Sequence, residues 1–434
     1  VSAGRTAYLN ARLLDPATGL DAPGALLTDG GVIADFGPRL FKDSLPEATT
    51  IVDCQGLCLA PGLIDMHVFT GEPGKEHRET LATASRAAAA GGITTMVMMP
   101  NTDPVIDQVA LVDFVLRRAR ETAPVRVLPM AAATKGLAGK EMTEFGLLSD
   151  AGAVAFTDGD RAIADASVMR RCLAYATAFD ALVVQICEEP SLSRDGAVSE
   201  GEIALRLGLP SIPLIAEPMM VERDMRLVAA TGGRWHGAHL STADAIEVLR
   251  AARKRGLRVT GGAAVHSFAL NEQAIGDYRT FAKTRPPLRS ESDRAAVVQA
   301  LADGTLEVIS SAHCPRDAES KRLPFAEAAF GIIGLETMLP LALELAHNGA
   351  VPLLTVLAAM TCNPARILKL EGGRLARGAP ADLVLFDPDA PWVVDEKKMR
   401  SKAKNTPFDG RPVQGHVRRT IVGGRTVFER RRES

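Results

Sequence analysis

Leu59-Ala-Pro-Gly-Leu-Ile-Asp65 runs into an alanine-rich stretch from Thr80 to Gly91, and then into Thr94-Thr-Met-Val-Met-Met-Pro100. A short apolar run, a helical stretch and a second apolar run make one βαβ unit. The alternation returns at Val125-Arg-Val-Leu-Pro-Met130, Ala153-Val-Ala-Phe156, Ala181-Leu-Val-Val-Gln-Ile186, Arg234-Trp-His-Gly-Ala-His-Leu240, Leu257-Arg-Val-Thr260 and Leu306-Glu-Val-Ile-Ser-Ser311. About eight such runs with helical stretches between them predict an α/β fold, a (β/α)8 TIM-type barrel over residues 59–370. Chemistry in such a barrel belongs at the C-terminal ends of its strands.

Outward from the barrel the texture changes. Ala7-Tyr-Leu-Asn-Ala-Arg-Leu-Leu14, Ala25-Leu-Leu-Thr28 and Val32-Ile-Ala-Asp-Phe-Gly37 are short strands punctuated by Asp15-Pro-Ala-Thr-Gly19 and Asp29-Gly-Gly31. Similar strands return at Ala381-Asp-Leu-Val-Leu-Phe386 and Gly415-His-Val-Arg-Arg-Thr-Ile-Val422. Gly-rich turns between strands signal hairpins. Residues 1–58 and 371–434 therefore predict one small β-sandwich domain built from both ends of the chain.

Composition narrows the function classes. The 434 residues are 47% hydrophobic and 24% charged, a globular profile that excludes a disordered chain. Fifty basic against 52 acidic residues carry no nucleic-acid footprint. No apolar run is long enough to span a bilayer, and Val1-Ser-Ala-Gly-Arg-Thr6 lacks the apolar core of a signal peptide. The six cysteines include no CxxC pair, so they read as reduced thiols in a cytoplasmic protein. The charged tail from Arg430 to Ser434 reads as a solvated end.

One stretch is specific. Asp65-Met-His-Val-Phe-Thr-Gly-Glu-Pro-Gly74 resembles the D-x-H-x-H-x-R-E-P-G signature of dihydroorotases, in the amidohydrolase superfamily. Met99-Pro-Asn-Thr102, Val154-Ala-Phe-Thr-Asp158, His239-Leu-Ser-Thr242, Lys283-Thr-Arg-Pro-Pro-Leu-Arg289, the stretch Lys321–Thr337 and Asn405-Thr-Pro-Phe-Asp-Gly410 resemble further motifs of that family, in family order. The resemblance implies reversible cyclisation of carbamoyl-aspartate to dihydroorotate. It also implies a binuclear zinc site with a bridging hydroxide, which metals acidify.

Position by position, the implied site is incomplete. His67, Asp158 and His239 stand at metal positions; Phe69, Ile186 and Ala312 stand where two histidines and the proton-transferring aspartate are implied. The arginine that would grip a substrate carboxylate is Gly71, and the asparagine of K-x-N-P-P is Arg285. Asn101 and His266 are what remains of substrate contacts. Neither implied ion keeps the three protein ligands typical of catalytic zinc. The expectation is no cofactor, or at most one weakly bound zinc, and no catalytic residue.

The three survivors could hold one ion, or could be satisfied by hydrogen bonds. His266 and His313 are candidate substitute ligands, and Cys187 and Cys314 candidate thiolates, although buried cysteines are more often core. His77, His236, His347 and His416 read as ordinary polar contacts, Met96, Met98 and Met99 as packing, and Glu188 with Glu189 as a solvated or locally bonded pair. Two functions stay open. One is a noncatalytic, dihydroorotase-like protein of pyrimidine biosynthesis, expected as a homodimer, that helps assemble aspartate carbamoyltransferase; such a role is what the resemblance implies for homologues without activity. The other is an amidohydrolase acting on a cyclic amide or ureide through a reduced zinc site, with His266, His313 or Glu188 moving the proton.

Overall fold

The structure, a computed structural model, describes residues 4–41 and 46–430. The first three residues and the end of the charged tail lie outside the described residues, so the readings made on them do too.

Eight parallel strands form the barrel: Leu63–Val68, Ile93–Met98, Arg126–Pro129 continuing as Ala131–Ala132, Phe156–Thr157, Leu182–Gln185, Arg234–Gly237, Val259–Ala264 and Val308–Ser310. The third strand is interrupted at Met130. Its first half pairs with Ile93–Met98 and its second with Phe156–Thr157. The ring closes where Val68 bridges His313 and the Phe69 amide donates to the His313 carbonyl at 2.9 Å. These strands read as apolar runs because a parallel sheet inside helices is buried on both faces. Met66, Val97, Met99, Met130, Val184 and Ile186 pack together inside the barrel. Met96 and Met98 belong to the larger cluster shared with the helices.

The helix Leu81–Ala90 begins at a reciprocal cap, in which Thr80 accepts from the Thr83 amide and the Thr83 hydroxyl accepts from the Thr80 amide. Gly62, at the passage from sandwich to barrel, is required by space: a Cβ there would lie 2.2 Å from the Thr94 side chain.

The sandwich uses both ends of the chain. Thr6–Asp15, Leu20–Asp29, Val32–Gly37, Thr50–Asp53 and Cys58–Pro61 come from the first part; Leu383–Val393, Pro412–Val422 and Arg425–Glu429 come from the last. They join where Leu383–Phe386 runs antiparallel to Cys58–Pro61. Tyr8, Leu13, Leu26, Ile33, Leu59 and Leu383 fill its core. Arg126 at the start of a barrel strand grips Asp382 with two hydrogen bonds, at 2.6 and 3.1 Å, which ties the two parts together. No helix among the described residues is long and apolar enough to cross a membrane.

Candidate active site at the barrel mouth

Side chains two apart on a strand point to the same face, so Leu63–Val68 delivers Asp65 and His67 together. Asp65 Oδ1 accepts from the His67 and Ser311 amides, each at 3.2 Å. Burial pushes the Asp65 carboxyl up to about 6, against the hydrogen bonds that lower it. His67 meets His239, from the loop after Arg234–Gly237, with ring centroids 4.2 Å apart. His239 Nε2 lies 2.8 Å from the Ser310 hydroxyl, while Nδ1 of both rings has no hydrogen-bond partner.

The two rings line a cavity of about 180 Å³ that also meets Asp160, Ile186, His266 and Ala312. Burial pulls His67 and His266 down to about 4 and His239 well below its usual value. At neutral pH all three are uncharged imidazoles with basic lone pairs.

The other sequence-derived positions are distributed around this cavity. Asp158 does not line it: its Oδ1 accepts from the Thr134 amide at 2.8 Å and its Oδ2 from the Thr134 hydroxyl at 2.5 Å. Phe69 and Asn101 line a neighbouring hollow. Gly71 has φ +74°, and a Cβ there would lie 2.7 Å from the Lys75 and Glu79 carbonyl oxygens, so this backbone has no room for a side chain.

Among the candidate substitutes, His313 is fully buried, with Nε2 3.7 Å from Glu79, and does not line the cavity. Glu188 pairs with Arg285 at 3.1 Å. Glu189 caps the short helix Pro190–Ser193. Burial pushes the Cys187 thiol well above its ordinary value, whereas Cys314 lies on the wall of both hollows. His236 bonds Thr260 at 2.8 Å, His347 lies 3.6 Å from Asp389, His416 stacks on Trp392, and His77 is exposed beside Asp317.

Residues without a motif also build the mouth. Lys75 follows the E-P-G turn, while Asp160, Arg161 and Arg316 lie just beyond the Thr-Asp and His-Cys-Pro segments. Their only sequence signal is position, since each follows a strand end on the catalytic side of a barrel.

An eight-stranded barrel with a histidine-lined mouth and a sandwich made from both termini defines an amidohydrolase-type protein. Residues 56–245 match the family described as Dihydro-orotase-like, and residues 338–428 match the Amidohydrolase family. The dihydroorotase of Anaplasma phagocytophilum is 45% identical across 97% of this chain and 95% of its own. That of Syntrophus aciditrophicus is 43% identical across 96% and 98%. In three dimensions the chain is similar to the L-hydantoinase of Arthrobacter aurescens, with a TM-score of 0.88 at 24% identity over 98% of this chain and 96% of that one. It is likewise similar to the dihydropyrimidinase of Brevibacillus agri, with a TM-score of 0.84 at 21% identity over 98% and 95%. The chain belongs to the dihydroorotase family of the amidohydrolase superfamily.

Membership corrects one expectation. Neither the absence of a cofactor nor a limit of one weakly bound zinc stands, because proteins of this family normally use zinc. The unpartnered ring nitrogens of His67 and His239 are suited to an ion. The wider donor set does not fit the binuclear centre that the motifs imply: Asp158 is spent on Thr134, and Phe69, Ile186 and Ala312 carry no donor. Among the described residues no group of three or more His, Cys, Asp or Glu side chains is gathered to hold an ion.

Proposed function

We propose that this chain serves pyrimidine biosynthesis in the cytoplasm as a noncatalytic dihydroorotase-family homodimer that helps to organise aspartate carbamoyltransferase. The observation that carries the reading is Ala312. A methyl group faces the cavity where the family motif has its proton-transferring aspartate, and losing a positioned acid or base costs about 10²–10⁴ in rate. Gly71 compounds it, because no guanidinium can be presented from that position. Ile186 joins the apolar cluster inside the barrel, as expected of a pocket being refilled as core.

The assembly role is supported by what the chain keeps. Barrel, sandwich and the ion pair between them are complete, and a folded surface suffices for binding, since a stable interface needs only about 800 Å² per partner. Leu192, Leu205, Ile215 and Met219 are exposed apolar side chains, and apolar groups left in solvent are available to an interface. Co-expression with aspartate carbamoyltransferase from the same organism tests the role. Copurification in a fixed ratio supports it. Independent migration on size exclusion at micromolar concentration, with transcarbamoylase assembly unchanged by deletion of this chain, rejects it.

A second reading rests on Asp160, the carboxylate that lines the cavity. In that reading the chain is an active amidohydrolase. Turnover that is abolished by Asp160→Asn would establish it.

A further inference from the structure

At the end of the barrel opposite the histidine-lined cavity lies a hollow of about 360 Å³. Leu182, Arg234 and Val259, the first residues of three neighbouring barrel strands, line it. Ile186 and His239, past the far ends of two of those strands, line the mouth instead. Four guanidiniums line the hollow, those of Arg234, Arg253, Arg258 and Arg366, against one carboxylate, Glu307. Outside the lining, Asp180 is shared between Lys369 and Arg258, whose hydrogen bonds hold its carboxyl down to about 2. Since Lys369 also balances Asp180, the excess of positive charge in the hollow stands.

The guanidiniums are held in place without being used up. Arg234 donates through its two terminal nitrogens to the Asp180 and Ile367 carbonyls, and Arg253 through Nη1 alone to those of Gly304 and Thr305. Arg258 reaches Asp180, and Arg366 reaches Glu307, each through Nη2 alone. Every one of the four keeps at least one nitrogen without a hydrogen-bond partner among the described residues. Burial pulls the Arg234 guanidinium below its usual value; Asp180 opposes this, and the charges of Arg258 and Arg366 add to it. Positive charge collected in a concave, partly buried site focuses an attractive field on anions. Guanidinium forks fit phosphate oxygens two at a time. One phosphate carries about −2 and leaves part of the excess unmatched, whereas two linked phosphates match it.

We propose that this hollow at the barrel floor binds an anion carrying two or more linked phosphates, held among Arg234, Arg253, Arg258 and Arg366. The bound anion bridges the starts of the strands Arg234–Gly237 and Val259–Ala264 to the helix Cys362–Leu368. It thereby clamps the barrel at the face that serves stability rather than chemistry. The site goes beyond the noncatalytic reading and does not depend on it.

The test is calorimetric titration of the full chain with inorganic pyrophosphate and, separately, with adenosine triphosphate, at constant ionic strength, using acetate as a monoanionic control. Saturable binding, weakened about tenfold or more in Arg258→Gln and in Arg366→Gln, is the expected result. Glu307→Gln, which removes the one carboxylate of the lining, should tighten binding about threefold or more. Tighter binding of the triphosphate would identify a nucleotide as the source of the phosphates, and equal or weaker binding an inorganic one. Arg258 and Arg366 are exposed, so neither substitution threatens the fold, and a melting curve of each variant without ligand verifies this. In the wild type, saturating pyrophosphate should raise the melting temperature. No saturable binding at millimolar concentration, equal binding of acetate, or undiminished binding in both arginine variants would overturn the proposal. A polyglutamate peptide that binds as tightly as pyrophosphate would also overturn it, by making the hollow a dock for an acidic protein segment.

Discussion

At position 312 the backbone holds φ +52°, a left-handed conformation that alanine adopts reluctantly and aspartate more readily. The side chain differs from the family motif, yet the turn that would present a carboxylate to the cavity is in place. Position 71 is the opposite case, since its backbone there excludes any side chain. Restoring single groups therefore has a definite limit. Phe69→His combined with Ala312→Asp should leave interconversion of carbamoyl-aspartate and dihydroorotate at background with excess zinc, because Ile186 still offers no ligand and Gly71 no guanidinium. A rise of about a hundredfold in a steady-state assay would refute this. Gly71→Ala should cost about 1–3 kcal/mol in urea unfolding through its left-handed backbone, before any clash with the Lys75 and Glu79 carbonyls is counted. An unchanged midpoint would show that the turn relaxes freely.

Elements at the mouth are fastened by buried charge. Glu217, in the first turn of the helix Ala216–Thr231, accepts from the Ser241 and Thr242 amides at 2.8 and 3.0 Å and pairs with Arg289 at 3.3 Å, both side chains being buried. Glu217→Ala would leave the Arg289 charge unpaired, and we expect a loss of about 3–5 kcal/mol in denaturant; a loss within the range of surface substitutions would mean that Arg289 finds water. Lys321, in the short helix Ala318–Arg322, donates to the carbonyls of Thr280 and Lys283. Burial pulls its ammonium down to about 7, from 10.5 in the unfolded chain. Between those values the unfolded chain holds a proton that the folded one has released, so its contribution to stability rises with pH across that window. Melting temperatures of the wild type should climb relative to Lys321→Met from pH 7 to pH 9. Parallel curves for the two proteins would contradict the assignment.

For the whole molecule, the barrel was legible in the sequence because strands buried on both faces leave apolar runs, and the sandwich because Asp15-Pro-Ala-Thr-Gly19 and Asp29-Gly-Gly31 mark tight turns. Strands as brief as Phe156–Thr157 carry little periodicity of their own and were recognisable only by their place in the series. Motif spacing located His67, His239, Ile186, Ala312 and His266 on one cavity, but could not show Asp158 turning away. That depends on Thr134, 24 residues earlier, being its neighbour in space. The cations Lys75, Arg161 and Arg316 had no mutual spacing to read, since three separate loops bring them together. The cofactor expectation failed for a different reason: counting lost ligands describes a donor set, whereas the family to which the chain belongs normally uses zinc. The most direct test of the noncatalytic account is a turnover assay of the purified full chain, supplied with excess zinc, in both directions between carbamoyl-aspartate and dihydroorotate. The account predicts no conversion above the uncatalysed background, and measurable conversion that a chelator abolishes would contradict it.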